Sequence, residues 1–535
     1  MGRLKAGLLL FLGVFAAYAY TAYPTVAPRD SADLAAAALT VAPAHAPGYP
    51  LYALLGKAWL DFLPWGDPAY RLNLLSAAAG AGCAALVFLL LVRSCGLWAG
   101  LAAALALAFS APLWKFSLLC EMYSWHGFFL AALLWLAPLP GQERTSTRRR
   151  EAASALIFGL GLVNHQALVL AAPGLAVLWW GELKAAGNRV FLQRVCLPLF
   201  LLGLGLYAFL WVRTGDFDRA WGLLTRREYG TWQLSESFGQ SMSLGLVWRL
   251  PAYCCGELWR RTSPLVIGLA LLGAGELWRR SRRGAAGLTI VFLGVGPVFF
   301  LATRFDVNGW VARTVLESAM IAPTVVLCTA AGFGLAWAGR RWKAWGAALA
   351  TAAAAATLWA QAAPCFHRDD FSAYDYVKDL RRALPPGRLA AAAGDTALYA
   401  TRYLDLTQPD GRGRRLVSFQ DASEGERPGF VLGLSLPRLA SLGLGPETLS
   451  PAGLVQAVGP GPGDDSFWSL SVLRRGRALR LQESYASDVL LAYAFAHYLD
   501  GTLQDSRHAP GAGRNYVMAA ALDPEDFQIR YNTAR

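Results

Sequence analysis

The stretch KAGLLLFLGVFAAYAYTAYPTVAPRDSADLAAAALTVAPAHAPGYPLY, residues Lys5–Tyr52, contains the two features that decide the fold. Its first part is an apolar run that continues to Tyr23, close to the ~20 residues that a membrane-spanning helix requires. Its second part places two carboxylates, Asp30 and Asp33, and the imidazole of His45 directly after that run. The stretch predicts a membrane anchor followed by a polar loop at the membrane surface.

The composition of the whole chain indicates an integral membrane protein. Of its 535 residues, 55% are hydrophobic and only 16% are charged. The mean hydropathy of +0.35 exceeds what a soluble domain needs to fill a core. The net charge of +13 comes from Lys and Arg residues that gather in short loops. This pattern is typical of a cytoplasmic membrane face, so no nucleic-acid partner is expected.

Eleven apolar segments have spanning or near-spanning length. They lie at about 5–23, 72–92, 96–113, 124–139, 153–164, 166–181, 195–212, 262–277, 286–303, 316–338 and 344–361. With this count, every basic cluster in a short loop falls on one side of the membrane, as the positive-inside rule requires. The sequence therefore predicts an α-helical polytopic protein with about 11 transmembrane helices and a cytoplasmic N-terminus.

Two details of this topology have alternatives. The stretch 153–181 is long for one helix and short for two, so its halves could also be re-entrant on either side of Asn164-His165-Gln166. At the N-terminus, Ala17-Tyr18-Ala19 resembles a signal-peptidase site. The length of the apolar run favours a retained anchor.

The predicted topology divides the chain into four regions. They are a transmembrane domain at 1–361 with a first outer loop at 24–71, an extracytoplasmic α/β domain at 362–458, a linker and strand region at 459–482, and a helical hairpin at 483–535. RRLVSF and GFVLGLSL read as strands. In the hairpin, the spacing of Ala512, Tyr516, Ala519 and Pro524 resembles the end of a tetratricopeptide repeat. One hairpin cannot bury its own face, so we expect it to dock on the α/β domain.

Three acidic side chains in the outer loops are candidates for catalysis. Asp30 and Asp33 are three residues apart, so a helix beginning there places both in its first turn. Their spacing alone favours an N-cap and capping-box role, which is compatible with function. Glu121 lies between apolar neighbours at the membrane boundary, where a carboxylate is costly without a partner. Its alternative role is an ion pair with Lys115.

Histidines and arginines at the outer ends of the helices could bind a substrate. His45 precedes a Pro-Gly-Tyr-Pro turn, and His165 lies at the predicted helix reversal. Arg226 and Arg227 lie on the outer side, where the positive-inside rule does not explain them, and guanidinium groups suit phosphate recognition. Structural hydrogen bonds, local ion pairs and contacts with lipid headgroups are the alternatives. Neither the eight cysteines nor the histidines show metal-ligand spacing, so no cofactor is expected and a divalent metal is not favoured.

Four stretches in order carry a resemblance to a known family: DSADLAAAALTVAPAHAPGYPLYALLGKAW, AYRLNLLSAAAGA, WKFSLLCEMYSWHGFF and GLGLVNHQ. Together they resemble a family of bacterial polytopic membrane proteins whose eukaryotic relatives are protein O-mannosyltransferases, assigned to the GT-C glycosyltransferases. The matching positions are Asp30, Asp33, His45, Pro47, Gly48, Tyr49, Pro50, Arg71, Asn73, Glu121, Tyr123, Asn164 and His165. Asp33 replaces a Glu of the family pattern, Ala32 a Gly and Ala46 a Pro.

The resemblance implies a GT-C-like fold in the bacterial inner membrane. It implies inverting transfer of a sugar, mannose among the candidates, from a polyprenyl phosphate to a protein or glycan acceptor outside the cytoplasm. Asp30 would be the base, with Asp33 or Glu121 as positioning groups or as the base if Asp30 only caps its helix. The substrate contacts would come from His45, Tyr49, Asn164, His165, Arg226 and Arg227.

Two other classes of protein remain open on the sequence. A transporter or lipid flippase would carry its polar residues near the bilayer midplane on interrupted helices, often within internal repeats. Here the polar residues lie at outer helix ends and no repeat is evident. A non-catalytic membrane scaffold that presents the C-terminal region would not need these carboxylates.

Overall fold

The computed structural model describes residues 2–141, 147–185, 188–230, 241–307, 310–342, 344–410, 413–424, 427–459, 467–468, 471, 474, 487–508, 510–523, 526 and 533–534. The chain folds into two compact units. The first holds Met1–Ala22, Ala37–Gly66 and Tyr70–Phe366, and the second holds Tyr23–Ala36, Asp67–Ala69 and His367–Arg535. The second unit thus includes part of the predicted first outer loop.

The first unit is almost entirely helical. Its α-helices are Arg3–Thr21, Pro50–Phe62, Pro68–Ser94, Leu97–Ala108, Ala111–Phe116, Tyr123–Leu136, Thr147–Asn164, Ala172–Leu178, Trp180–Leu183, Asn188–Phe191, Leu197–Leu204, Ala208–Thr214, Phe217–Leu224, Leu244–Thr262, Pro264–Arg280, Arg282–Leu293, Phe299–Thr303, Trp310–Glu317, Ile321–Trp342 and Ala344–Ala362. Short 3-10 segments lie at Gln166–Ala171, Gly205–Tyr207, Arg227–Tyr229 and Ser318–Met320, and π-helical turns lie at Leu192–Cys196 and Gly294–Val298. The helix Ser31–Thr40 begins in the second unit and ends in the first.

Five helical stretches of the described residues are long and apolar enough to cross a membrane. They are Arg3–Thr21, Pro68–Ser94, Asn188–Thr214, Arg282–Thr303 and Thr314–Trp342. Shorter apolar helices lie at Leu97–Ala108, Tyr123–Leu136 and Gln166–Leu178. Each of these eight stretches coincides with one of the predicted crossings. The protein is therefore a mostly helical integral membrane protein, while eleven crossings stay a prediction.

Small residues allow two long helices of the first unit to touch backbone to backbone. A Cβ atom added at Gly273 would lie 1.8 Å from the carbonyl oxygen of Ala330, and one added at Gly334 would lie 2.0 Å from that of Leu269. No larger side chain fits at either position without moving the partner helix. Close approach through small residues is a common way in which helices associate in membranes, where lipid competes for apolar surface.

The second unit is built on a five-stranded mixed sheet. Its strands are β1 Leu389–Ala392, β2 Arg415–Ser418, β3 Phe430–Leu432, β4 Leu449–Ala452 and β5 Val455–Val458. They lie in the order β2-β1-β3-β5-β4, with β1 parallel to β2 and β3, and β5 antiparallel to β3 and β4. The helix Ser372–Ala383 precedes β1, and the helices Asp395–Thr407, Phe419–Glu424 and Leu436–Ser441 follow β1, β2 and β3, with a 3-10 turn at Pro446–Thr448. Strands β2 and β3 fall within the two stretches for which strands were expected.

Two further helices pack against this sheet. The helices Ser487–Ser506 and Ala512–Leu522 contact each other, and Leu499 and Leu503 join the apolar core formed by Ala391, Val431, Leu449 and their neighbours. The sheet thereby covers the face that the hairpin cannot bury alone. Most of the predicted linker at 459–482 and the repeat position Pro524 lie outside the described residues.

Candidate functional site

Asp30 and Asp33 lie at the start of the helix Ser31–Thr40. The carbonyl oxygen of Asp30 accepts a hydrogen bond from the backbone N–H of Leu34 at 3.0 Å, which places Asp30 at the N-cap position. Asp33 lies in the first helical turn, where a negative charge is favourable beside the partial positive charge of the helix N-terminus. Helix capping and catalysis therefore remain compatible roles for Asp30.

A second helix of the same unit holds this segment. The Asp33 side chain is 2% exposed, and Arg402 Nη1 lies 3.5 Å from its Oδ1 atom. On the same helix, Asp395–Thr407, the hydroxyl of Thr396 accepts the backbone N–H of Arg29 at 2.9 Å. Arg402 and Thr396 were not predicted, because nothing in the local sequence signals a contact across more than 360 positions.

Asp67 is a further, partly buried anchor that the local sequence did not indicate. Its two carboxylate oxygens accept hydrogen bonds from the hydroxyls of Thr25 at 3.0 Å and Tyr403 at 3.1 Å. The Tyr403 hydroxyl in turn accepts the backbone N–H of Ala69 at 3.0 Å. Both ends of the predicted first outer loop are thus tied to the helix Asp395–Thr407 within the second unit.

Glu121 belongs to the first unit and is completely buried. Its backbone N–H and carbonyl oxygen meet the Ser76 hydroxyl at 3.3 and 3.2 Å, and Ser76 also lies 3.3 Å from the Tyr52 hydroxyl. Lys115, considered as an alternative partner of Glu121, donates to Glu317 at 2.7 Å. Glu121 is therefore a buried carboxylate distinct from Glu317, the one that pairs with Lys115.

The predicted Pro-Gly-Tyr-Pro turn is a tight turn that ends at the helix Pro50–Phe62. Gly48 and Tyr49 both have left-handed backbones, with φ values of 89° and 41°. The ring centroids of His45 and Tyr49 are 5.1 Å apart in an edge-on contact. The left-handed conformation explains the glycine, because a Cβ atom there would be strained and would meet Leu210.

The two predicted arginines occupy different surroundings. Arg226 Nη1 lies 3.4 Å from the carbonyl oxygen of Ala46, and its guanidinium stacks 4.9 Å from the Tyr229 ring. It therefore contacts the turn that carries His45. Arg227 instead forms two hydrogen bonds of 2.8 and 3.0 Å with the exposed Asp218 carboxylate, so it is part of a surface ion pair.

The pair Asn164-His165 contacts Met122 and Tyr123, which follow Glu121 in the chain. Asn164 is the last residue of its helix, and its side-chain amide donates to the carbonyl oxygen of Met122 at 3.1 Å. The His165 ring lies 5.7 Å from that of Tyr123 and 4.8 Å from that of His126. Tyr123, His126 and His165 line a cavity of about 40 Å³ whose other walls are mainly apolar. His126 was missed because a lone histidine in an apolar helix carries no motif.

Neither a metal centre nor a disulfide is formed by the described residues. No three His, Cys, Asp or Glu side chains among them are arranged to bind a metal ion. All eight cysteines are free thiols, and six of them are buried. The polar groups of the candidate site residues are carboxylates, imidazoles, amides and guanidinium groups, which suit proton transfer and recognition of hydroxyls or anions.

The sequence matches known proteins over this region. Residues 30–185 match the family model described as the protein O-mannosyl-transferase TMEM260 N-terminal domain. The chain is 28% identical over 361 residues to protein O-mannosyl-transferase TMEM260 of Mus musculus, which covers 63% of this chain and 50% of the relative. It is 24% identical over 459 residues to the protein of that name from Dictyostelium discoideum, covering 75% and 55%. The resemblance to protein O-mannosyltransferases is confirmed.

The fold also matches that of a solved membrane protein. ArnT from Cupriavidus metallidurans, in a crystal structure bound to undecaprenyl phosphate, superposes with a TM-score of 0.54 over 83% of this chain and 95% of that chain. At 14% identity, this likeness shows a common fold and nothing about substrate. The chain spans about half the length of the curated relatives that it matches.

Most of the predicted site residues lie within the stretch that matches the TMEM260 family model. Asp30, Asp33, His45, Tyr49, Glu121, Asn164 and His165 fall inside residues 30–185, and Arg226 and Arg227 fall outside. The site assignment as a whole stays a prediction.

Burial sets the charge of His165. It holds the pKa of His165 well below the ordinary value of 6.5, and the neighbouring His126 and Arg226 lower it further. The imidazole is therefore neutral at pH 7 and offers one hydrogen-bond donor and one acceptor. Such a group suits a substrate hydroxyl better than a phosphate, to which it brings no positive charge.

Acidification should destabilise the protein through His165. Below pH 6.5, His165 binds a proton in the unfolded chain but stays neutral in the folded protein. The free energy of unfolding therefore decreases as the pH falls, by up to about 1.4 kcal/mol per pH unit. His165→Asn removes this contribution and keeps the neighbours Tyr123, His126 and Arg226. We expect a smaller drop in the thermal midpoint between pH 7.5 and pH 5 in the variant than in the wild type. Equal drops would contradict the neutral assignment.

Proposed function

We propose that the protein is a membrane glycosyltransferase that moves a sugar, mannose in the first instance, from a polyprenyl phosphate to an acceptor hydroxyl. The observation that carries the proposal is the match of residues 30–185 to the TMEM260 family model. That range contains three candidate acids, Asp30, Asp33 and Glu121. The ArnT fold adds support, because a fold of this kind is seen with a polyprenyl phosphate bound.

The proposed chemistry is a single inverting displacement. The acceptor oxygen attacks C1 of the sugar, the bond from C1 to the phosphate oxygen breaks, and the acceptor proton passes to a carboxylate. Asp30 is the proposed base, and Asp33 and Glu121 position the reactants. The departing polyprenyl phosphate gains negative charge, which Arg226 offsets, while His45, Tyr49, Asn164 and His165 contact the donor. Arg227 is the second candidate for the phosphate. No metal cofactor takes part.

The proposal includes a location and an orientation. The N-terminus faces the cytoplasm, the chain crosses a bacterial inner membrane about eleven times, and the acids lie on the extracytoplasmic side. The α/β sheet region and the helical hairpin lie on that same side and hold the acceptor, a protein or a glycan. The donor, a sugar linked to polyprenyl phosphate, reaches the site from the lipid phase.

A donor panel tests the proposed activity. The purified protein is incubated with polyprenyl phosphates that carry different sugars, together with a mixture of envelope proteins and glycans, and loss of each donor is followed by mass spectrometry. We expect one donor to be consumed with release of polyprenyl phosphate, and EDTA to have no effect. Movement of intact donor across a vesicle bilayer without release of polyprenyl phosphate would favour a flippase instead.

The two adjacent arginines should behave differently. Arg226→Gln removes a cation that contacts the His45 turn, and a charged hydrogen bond to phosphate is worth ~1.5–3 kcal/mol, so the donor KM should rise by about tenfold or more. Arg227→Gln breaks an exposed ion pair with Asp218 and should change the donor KM by less than about twofold, since exposed pairs contribute little. The measurement is initial rate against donor concentration. If Arg227→Gln raises the donor KM more than Arg226→Gln does, Arg227 is the residue that contacts the phosphate.

A further inference from the structure

A cavity in the first unit remains unassigned by the proposed activity. It has a volume of about 250 Å³ and lies among the helices Thr147–Asn164 and Ala172–Leu178 and the turn Leu192–Cys196. Its walls are mostly apolar, with Phe158 and Leu175 among them. An apolar cavity of this size fits part of a hydrocarbon chain.

Two carboxylates break the apolar lining. Glu151 is 7% exposed, and its Oε1 atom accepts the side-chain amide of Asn188 at 3.0 Å. Its Oε2 atom, and the Oε2 atom of Glu182 in the same wall, are buried and have no hydrogen-bond partner among the described residues. The Ser154 hydroxyl in this wall is also buried without a hydrogen-bond partner among the described residues. A buried carboxylate oxygen without a donor is costly, so this wall is suited to a ligand that brings N–H donors and positive charge.

A second, basic cavity adjoins the first. It has a volume of about 800 Å³ and shares Trp179 and Glu182 with the apolar cavity. Arg150, Arg280, Arg282 and Arg283 line it, and Arg280 pairs with Glu276. The Arg283 guanidinium lies against Gly181, next to Glu182, since a Cβ atom there would be 2.5 Å from its Nη1. Cationic and anionic groups thus lie side by side at the edge of an apolar cavity.

We propose that the two adjoining cavities bind one phospholipid with an ethanolamine headgroup. The ammonium group donates to Glu151 and Glu182, the phosphate contacts Arg282 and Arg283, and one acyl chain enters the apolar cavity. A primary ammonium supplies three N–H donors, which a choline headgroup lacks, and a glycerol headgroup has no positive charge. Guanidinium groups match the phosphate oxygens. The inference is independent of the transfer reaction, because none of these residues belongs to the proposed site.

The binding test uses native mass spectrometry of the full-length protein in detergent. Short-chain lipids with ethanolamine, choline and glycerol headgroups, and a long-chain alkylamine without phosphate, are titrated separately. We expect the ethanolamine lipid to bind about tenfold or more tightly than the other three, since a charged hydrogen bond is worth ~1.5–3 kcal/mol. Glu151→Gln and Glu182→Gln should each remove most of that preference. Asp61→Asn, in an exposed pair with Lys57, is the matched control and should leave it unchanged.

Each other result would overturn the assignment. Equal binding of the ethanolamine and glycerol lipids, or an unchanged preference in both glutamine variants, would show that Glu151 and Glu182 do not bind an ammonium group. If the alkylamine binds as tightly as the ethanolamine lipid, Arg282 and Arg283 do not bind the phosphate. Elution volume and thermal midpoint establish that each variant is folded. If Glu151→Gln does not fold, the less buried Glu182 decides the question through its own variant.

Discussion

Replacing Asp30 with asparagine is expected to abolish sugar transfer and to leave the amount of protein in the membrane unchanged. Asparagine has the size of aspartate and is an equally good N-cap, so the helix Ser31–Thr40 keeps its start. Its amide cannot accept the proton of an acceptor hydroxyl. General-base catalysis contributes about 10²–10⁴-fold, so the rate should fall by at least about 100-fold. The measurement is release of polyprenyl phosphate from the donor identified in the panel.

The same assay on three variants identifies the base. Asp33→Asn weakens the ion pair with Arg402, and Glu121→Gln changes a buried carboxylate of the other unit, so both should lower the rate less than Asp30→Asn. Asp30→Ala removes the cap as well and should also lower the thermal midpoint, by the equivalent of about 1 kcal/mol. If Asp30→Asn retains more than a tenth of the wild-type rate while Asp33→Asn or Glu121→Gln does not, Asp30 only caps its helix.

The resemblance to the family was accessible from the sequence because its signals are local. The acidic pair, the Pro-Gly-Tyr-Pro turn and the Asn-His pair are short motifs, and Gly48 and Tyr49 adopt the left-handed backbone that such a turn requires. The strands at RRLVSF and GFVLGLSL were likewise visible from short runs of apolar residues. What these motifs share is that a few neighbouring residues determine the geometry.

The long-range partners were not accessible. Arg402 reaches Asp33, and Tyr403 reaches Asp67, although both come from a helix more than 330 residues further along the chain. His126 gave no signal because its apolar helix has no pattern that marks one buried imidazole as functional. Ion pairs and ring contacts of this kind depend on which helices become neighbours, and hydropathy carries little information about that.

Glu317→Gln is expected to be more destabilising than Lys115→Met, although the two residues form one ion pair. Lys115 Nζ lies 2.7 Å from Glu317 Oε2, and both side chains are at most 4% exposed. Arg261 also donates to Glu317, and it pairs with Glu257 at 2.5 Å. Removing the Glu317 charge breaks the buried ion pair with Lys115, and breaking such a pair by removing one partner costs about 3–5 kcal/mol. Removing Lys115 leaves Glu317 paired with Arg261, so the cost should be smaller.

The double variant Lys115→Met/Glu317→Gln separates the charge effect from the loss of packing. It removes both members of the pair, while Arg261 keeps Glu257, so it should be more stable than Glu317→Gln alone. Thermal unfolding in detergent, followed for all three variants and the wild type, measures the order. A double variant less stable than Glu317→Gln would mean that Lys115 contributes mainly through packing, and that the pair with Glu317 does not hold the helices Ala111–Phe116 and Trp310–Glu317 together by charge.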